Sequence, residues 1–253
     1  MKNERVGETN YNKYGTQMKI IIYNKSDDLW VEFQDSYKAK VHTAYKCFLK
    51  GEVRNPYDKT VLGVGLLGVG NYNSKSHKKI YKKWTHMLER CYNPYKINEF
   101  PTYKDCYVCD EWLNFQNFAK WYEENYYEVK GEVMCLDKDI LIKGNKIYSP
   151  ETCIFVPERI NTLFTRSDKS RGKYPIGITF NKNNTVNPLE VSLSNKGKHT
   201  RIDCFPINRP FQAFTCYKNF KEKLIKEIAD EYKNLIPSKL YDAMYRYEVE
   251  IND

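Results

Sequence analysis

The period of the apolar residues changes twice along the chain, so any fold that respects it must combine several small sheets with amphipathic helices. Over residues 1–72 apolar stretches alternate with turn residues. "MKIIIYN" (Met18–Asn24) and "LWVEFQD" (Leu29–Asp35) flank "KSDD" and read as a hairpin. From residue 73 the spacing becomes helical. "KKIYKKWTHMLERCYNP" puts Ile80, Trp84, Met87, Leu88 and Cys91 on one stripe and stops at Asn93–Pro94. "DEWLNFQNFAKWYEENY" does the same with Trp112, Phe115, Phe118, Ala119 and Tyr122. After residue 165 come three strand patterns, "YPIGITF", "LEVSLS" and "TRIDCF". Two helices follow, "PFQAFTCYKNFKEKLIKEIADEYK" and "PSKLYDAMYRYEVE". The fold class read from this is α+β in three modules: a twisted β module over 1–72, an αα-ββα core over 73–165, and a three-stranded antiparallel sheet with packed helices over 166–253. Gly63, Gly65, Gly68 and Gly70 lack the strand-to-helix context of a phosphate loop and read as tight turns and close packing.

Charge then narrows the partner. The 253 residues carry 41 Lys and Arg against 32 Asp and Glu, a net charge of +9, with 22 Tyr and 12 Phe. A basic, aromatic-rich chain points to an anionic partner, and to nucleic acid first. The distribution says more than the total, because an AT-rich genome also over-supplies Lys, Asn and Tyr. Between Arg171 and Lys226 there are 11 Lys and Arg and only three acids, Glu190, Asp203 and Glu222. No apolar run reaches the length of a membrane span and "MKNERVGETN" has no leader pattern, so a cytoplasmic protein without a membrane partner is expected. In that compartment the eight cysteines stay reduced. Cys106 and Cys109 form one C-x-x-C pair, and with Cys91 and Cys135 they could hold a structural zinc. Buried thiols are the ordinary reading of the same residues.

The densest chemistry lies in "CLDKDILIKGNKIYSPETCIFVPERIN", Cys135–Asn161. It reads as strand, turn, strand and helix. Asp137 and Asp139 flank Lys138 at the spacing that puts both carboxylates on one strand face, and Asn161 falls on the helix.

The run "WTHMLERCYNP…YPTYKDCYVCDEWLNFQNF…CLDKDILIKGNKIYSPETCIFVPERIN" resembles a phage family of HNH-type homing-endonuclease-like proteins. The following stretch, "YPIGITF…VSLS…TRIDCF…PFQAFTCYKNFKE", is similar to the three-stranded-sheet-plus-helix DNA-binding domain of ethylene-response factors. The first resemblance implies a ββα-metal nuclease core. There Asp139 and Asn161, joined by Asp137, would ligate Mg²⁺ or Mn²⁺ beside the scissile phosphate. Asp139, Lys138 and Asn161 would then be the catalytic set. The second resemblance implies DNA contacts from Arg171, Lys173, Lys182, Lys196, Lys198 and Arg201.

Both motifs depart from their families. No histidine stands near Asp137–Asp139; His42, His77, His86 and His199 are all elsewhere, and His86 on the first helix is the alternative base. Pro188 and Glu190 occupy the middle strand where basic or aromatic residues should face DNA. The expectation is a DNA-binding protein with weak metal-dependent nicking or none. An alternative is a counter-defence protein of anti-CRISPR or anti-restriction type, which binds a host defence nuclease or its guide RNA and DNA. A further alternative is an accessory transcriptional regulator.

Overall fold

The computed structural model describes residues 4–165, 173–195 and 198–251, the side chains of Asn195 and Lys198 excepted. It is an α+β protein with several small sheets, divided into two compact units. The first comprises residues 1–124 and 146–150; the second comprises 125–145 and 151–253.

In the first unit, β1 (Thr9–Tyr11), β2 (Gln17–Lys25), β3 (Asp28–Phe33) and β4 (Lys40–Thr43) form a meander in the order β1-β2-β3-β4. The hairpin read around "KSDD" is β2–β3. Alternation does the work: Leu29, Val31 and Phe33 are fully buried with Met18, Ile20 and Phe48, while Trp30 faces out. A short helix α1 (Tyr45–Leu49) closes this core.

Helix α2 (Lys78–Tyr92) buries the five residues its stripe predicts, Ile80, Trp84, Met87, Leu88 and Cys91. The "NP" that stops it also starts α3 (Pro94–Glu99), because the Asn93 side chain accepts from the Tyr95 N–H at 3.0 Å. The second helical stripe is broken at Asn114. A 3₁₀ turn (Asp110–Leu113) precedes it, and α4 (Phe115–Asn125) follows, with the Asn114 side chain accepting from the Gln116 N–H. Trp84 donates to the Trp112 carbonyl at 2.7 Å, which fixes α2 against that turn.

The expected boundary at residue 72 does not divide the units. Leu66 donates to the Leu113 carbonyl and Phe115 donates to the Leu66 carbonyl. Gly65 leaves no room for a side chain, since a Cβ there would lie 2.7 Å from Leu88 and 2.9 Å from Trp84. The glycine-punctuated stretch is thus the packing surface for α2 and α4, as close packing predicts.

The second unit pairs β6 (Met134–Asp137) with β8 (Ile154–Pro157), antiparallel, and continues directly into α5 (Glu158–Leu163). This is the ββα order expected of Cys135–Asn161. One detail differs. The strand after the turn, β7 (Ile147–Tyr148), does not pair with β6. It belongs to the first unit, where it runs parallel to β5 (Tyr107–Val108). The second unit also holds β9 (Ile178–Phe180), β10 (Leu189–Asn195) and β11 (Lys198–Phe205), an antiparallel sheet in the order β11-β10-β9. Helix α6 (Pro210–Tyr232) packs Ala213, Phe214 and Tyr217 on Ile178, Leu189, Val191 and Leu193, and α7 (Ser238–Arg246) follows. The C-terminal sheet-then-helix architecture read from the sequence is present. No helix among the described residues is long and apolar enough to cross a membrane.

Candidate nucleic-acid interface

The acidic segment is a capped turn. Strand β6 ends at Asp137, and one carboxylate oxygen of Asp137 accepts from the backbone N–H of Asp139 at 2.9 Å and of Ile140 at 2.7 Å. Short acidic side chains favour such local bonds over continued strand. The expectation that Asp137 and Asp139 share a strand face is therefore corrected: the chain bends between them and Asp139 leaves the ladder. Burial, then the neighbouring Asp139 charge, pushes the Asp137 carboxyl up to about 6, against the pull of the two N–H donors.

Lys138 is also not placed as the catalytic set required. Its side chain is 8% exposed against 48% for Asp139, and its ammonium donates to the Asp139 carboxylate at 3.1 Å and to the Asn145 carbonyl at 2.9 Å. Asn145 returns a bond to the Lys138 carbonyl at 2.7 Å, which closes the loop. Lys138 is a strut of this turn rather than a cation offered to phosphate.

Asn161 lies half-buried on α5, and its backbone carbonyl accepts from the Phe164 N–H and the Thr165 hydroxyl. Arg159 of the same helix is paired with Glu231 of α6 and lies over the Tyr232 ring, so α5 is held on α6. His86 is exposed on α2 and belongs to the first unit, whereas Asp137, Asp139 and Asn161 belong to the second.

Mg²⁺ and Mn²⁺ need anionic oxygens that are open to the ion. Here one acid is committed to two backbone donors and the other is neutralised by a buried lysine, so the residues do not fit the ion in this arrangement. Among the described residues no group of three or more His, Cys, Asp or Glu side chains could hold a metal. Cys91, Cys106, Cys109 and Cys135, the zinc set that the sequence offered beside buried thiols, form no such group among the described residues. All eight cysteines are thiols, and Cys91 and Cys106 are core residues.

The sheet unit carries part of the exposed positive charge. Lys173, Lys182 and Arg209 are exposed and have no carboxylate partner among the described residues. Arg171 and Lys196 lie outside the described residues, and Lys198 opens β11. Arg201 is exposed but engaged. Its guanidinium lies 3.8 Å from the Glu190 carboxylate and donates to the Cys204 sulfur at 2.7 Å. Glu190 faces Thr179 and Cys204 across the sheet, on the side away from α6, and accepts from Asn181 as well. The acid that departs from the ethylene-response pattern thus sits at the centre of the outer face, with its charge compensated.

Lys221, one of the basic residues counted between 171 and 226, does not join that surface. It lines a cavity of about 30 Å³ with Phe164, Tyr217 and Tyr247, and burial pulls its amine down to about 8.

Two aromatic residues beside the cations were read from the sequence only as parts of a strand. Tyr174 and Phe180 stack with rings 6.3 Å apart and 14° from parallel, and Phe180 is 47% exposed. The Lys173 ammonium lies 5.2 Å from the Tyr174 ring centroid. The backbone between them is set by Gly177, whose φ is +77° and where a Cβ would overlap the Tyr217 ring. Its carbonyl accepts from Ser192 at 2.9 Å. The spacing of two aromatics across a Gly-containing strand end was the available signal.

No family model, no curated protein and no solved structure matches the chain.

Proposed function

We propose that the protein binds nucleic acid through the exposed basic side of its three-stranded-sheet unit, in the cytoplasm of a phage-infected host, and does not cut it by the metal-dependent ββα mechanism. The observation that carries this reading is the set Lys173, Lys182 and Arg209, exposed and without carboxylate partners among the described residues, in a segment where Glu190 is paired with Arg201 and Glu222 with Lys218. Such cations displace condensed counterions from a phosphate backbone, which is the main source of sequence-independent affinity. The compensated Glu190 at the centre of the outer face argues against base readout by that face. The Lys138–Asp139 pair and the Asp137 turn argue against the ion that the phage HNH resemblance implies.

Two assays test this together. Labelled DNA should bind in EDTA as well as in Mg²⁺. Supercoiled plasmid should stay supercoiled in Mg²⁺ or Mn²⁺. Conversion to open circle by the wild-type chain, abolished by Asp139→Ala, would overturn the non-cutting half of the proposal.

A second reading, capture of a host defence nuclease, has its own observation. Ile22, Trp30 and His42 lie side by side across three strands of the front sheet, and Ile22 and Trp30 are exposed. Two exposed apolar side chains on an open face suit a protein partner. If that reading holds, Trp30→Ala abolishes inhibition of the host nuclease while DNA affinity stays unchanged.

A further inference from the structure

We infer that the hollow beside the Tyr174–Phe180 stack is a binding site for an unpaired nucleobase, so that the ligand of the basic sheet unit is single-stranded nucleic acid. This deepens the nucleic-acid reading above and rests on it.

Three features meet at one place. The first is a hollow of about 410 Å³, lined by Lys173, Tyr174, Ile178, Thr179, Phe180 and Ile207. That volume falls in the range of small-ligand sites, room for one base and its sugar. The second is ring surface. Phe180 and Ile207 are 47% and 52% exposed, although each is large and apolar, and the near-parallel Tyr174 ring continues the Phe180 surface. A base added to this stack covers apolar area that the folded chain leaves in water, and every base has a face that can do so. The third is charge. Lys173 lies over Tyr174, and Lys182 and Arg209 are exposed without carboxylate partners among the described residues.

Duplex DNA satisfies only the third feature. Its bases are stacked on each other, and a phosphate backbone has no use for an exposed phenyl ring. Unpaired strands satisfy all three, with phosphates on the lysines and a base on the ring. The Thr179 side chain, exposed on β9, supplies a hydroxyl at the edge of the hollow.

The test measures binding of labelled oligo(dT) of about ten nucleotides, of oligo(U) of equal length, and of a duplex of equal length. Each is titrated with the full wild-type chain, Phe180→Ala and Phe180→Trp. Phe180→Ala is expected to weaken oligo(dT), oligo(U) or both by about tenfold, about 1.4 kcal/mol. Phe180→Trp should restore affinity, and duplex binding should change less than about twofold for all three proteins. Whichever of oligo(dT) and oligo(U) responds more names the polymer. Unchanged single-strand affinity in Phe180→Ala, with wild-type duplex binding intact, overturns this inference and leaves the broader reading standing. Equal weakening of strands and duplex also overturns it. Failure of the wild-type chain to bind any of the three overturns both.

Discussion

Lys138 turns its ammonium back onto its own neighbour, 3.1 Å from the Asp139 carboxylate, and onto the Asn145 carbonyl at 2.9 Å. In a metal nuclease the same acid would have to face an ion. The consequence is a difference in what the two residues contribute. Asp139 is half exposed, and an exposed ion pair stabilises little. Lys138 is buried, and its removal leaves the Asn145 carbonyl without that donor. Lys138→Met should therefore cost about 1–3 kcal/mol in denaturant unfolding, and Asp139→Ala less than about 1 kcal/mol. Equal costs, or a larger one for Asp139→Ala, would contradict the strut role of Lys138.

Asp137 makes stability depend on pH in a definite direction. Its folded carboxyl is raised to about 6, above the ordinary value of an unfolded Asp near 3.8. Below about pH 4 both states hold the proton. As pH rises from about 4 to about 6 the unfolded chain releases it first, so this group's contribution to stability is lost over that window and stays lost above it. Asp137→Asn keeps an oxygen for the two N–H donors and does not titrate. Relative to wild type, the variant should gain on the order of 1–3 kcal/mol between pH 4 and pH 7, measured by urea unfolding at each pH. A stability difference that does not vary with pH would contradict this.

Lys221 behaves in the opposite sense. Burial among Phe164, Tyr217 and Tyr247 lowers its amine to about 8, below the ordinary 10.5. The stability it contributes is present above about pH 10.5 and is lost as pH falls through about 8. Lys221→Met should thus stabilise the chain at pH 7, by an amount that shrinks as pH rises from about 8 to 10. It should leave DNA affinity nearly unchanged, because this half-buried lysine lines a small cavity rather than standing free on the surface. Destabilisation at pH 7, or a tenfold loss of DNA affinity, would count against the placement.

These residues also mark where sequence reading ran out. The period of two in Leu29, Val31 and Phe33 and the helical spacing of Trp84, Met87 and Leu88 were legible because burial of one face imposes them. The three strands and the helix after residue 173 were legible for the same reason. The turn at Asp137 was not, because an acid two residues from another fits both a strand face and a side-chain-capped bend. Lysines are expected on surfaces, so nothing in the letters separates buried Lys138 and half-buried Lys221 from exposed Lys173 and Lys182. The Tyr174–Phe180 stack depends on the left-handed backbone at Gly177, a tertiary demand of the Tyr217 ring. Phe180 alone reads as one more strand aromatic.

The most direct measurement is a salt titration of DNA affinity by fluorescence anisotropy, comparing the wild-type chain with Lys173→Glu/Lys182→Glu/Arg209→Glu. All three positions are exposed, so the fold should tolerate the changes. The account expects wild-type binding to weaken linearly in log affinity against log salt. In the triple variant that slope should fall by about two to three, at about 0.7–0.9 per lost phosphate contact, with affinity at low salt reduced at least tenfold. Identical slopes and affinities for the two proteins, or no binding by the wild-type chain at low salt, would contradict it.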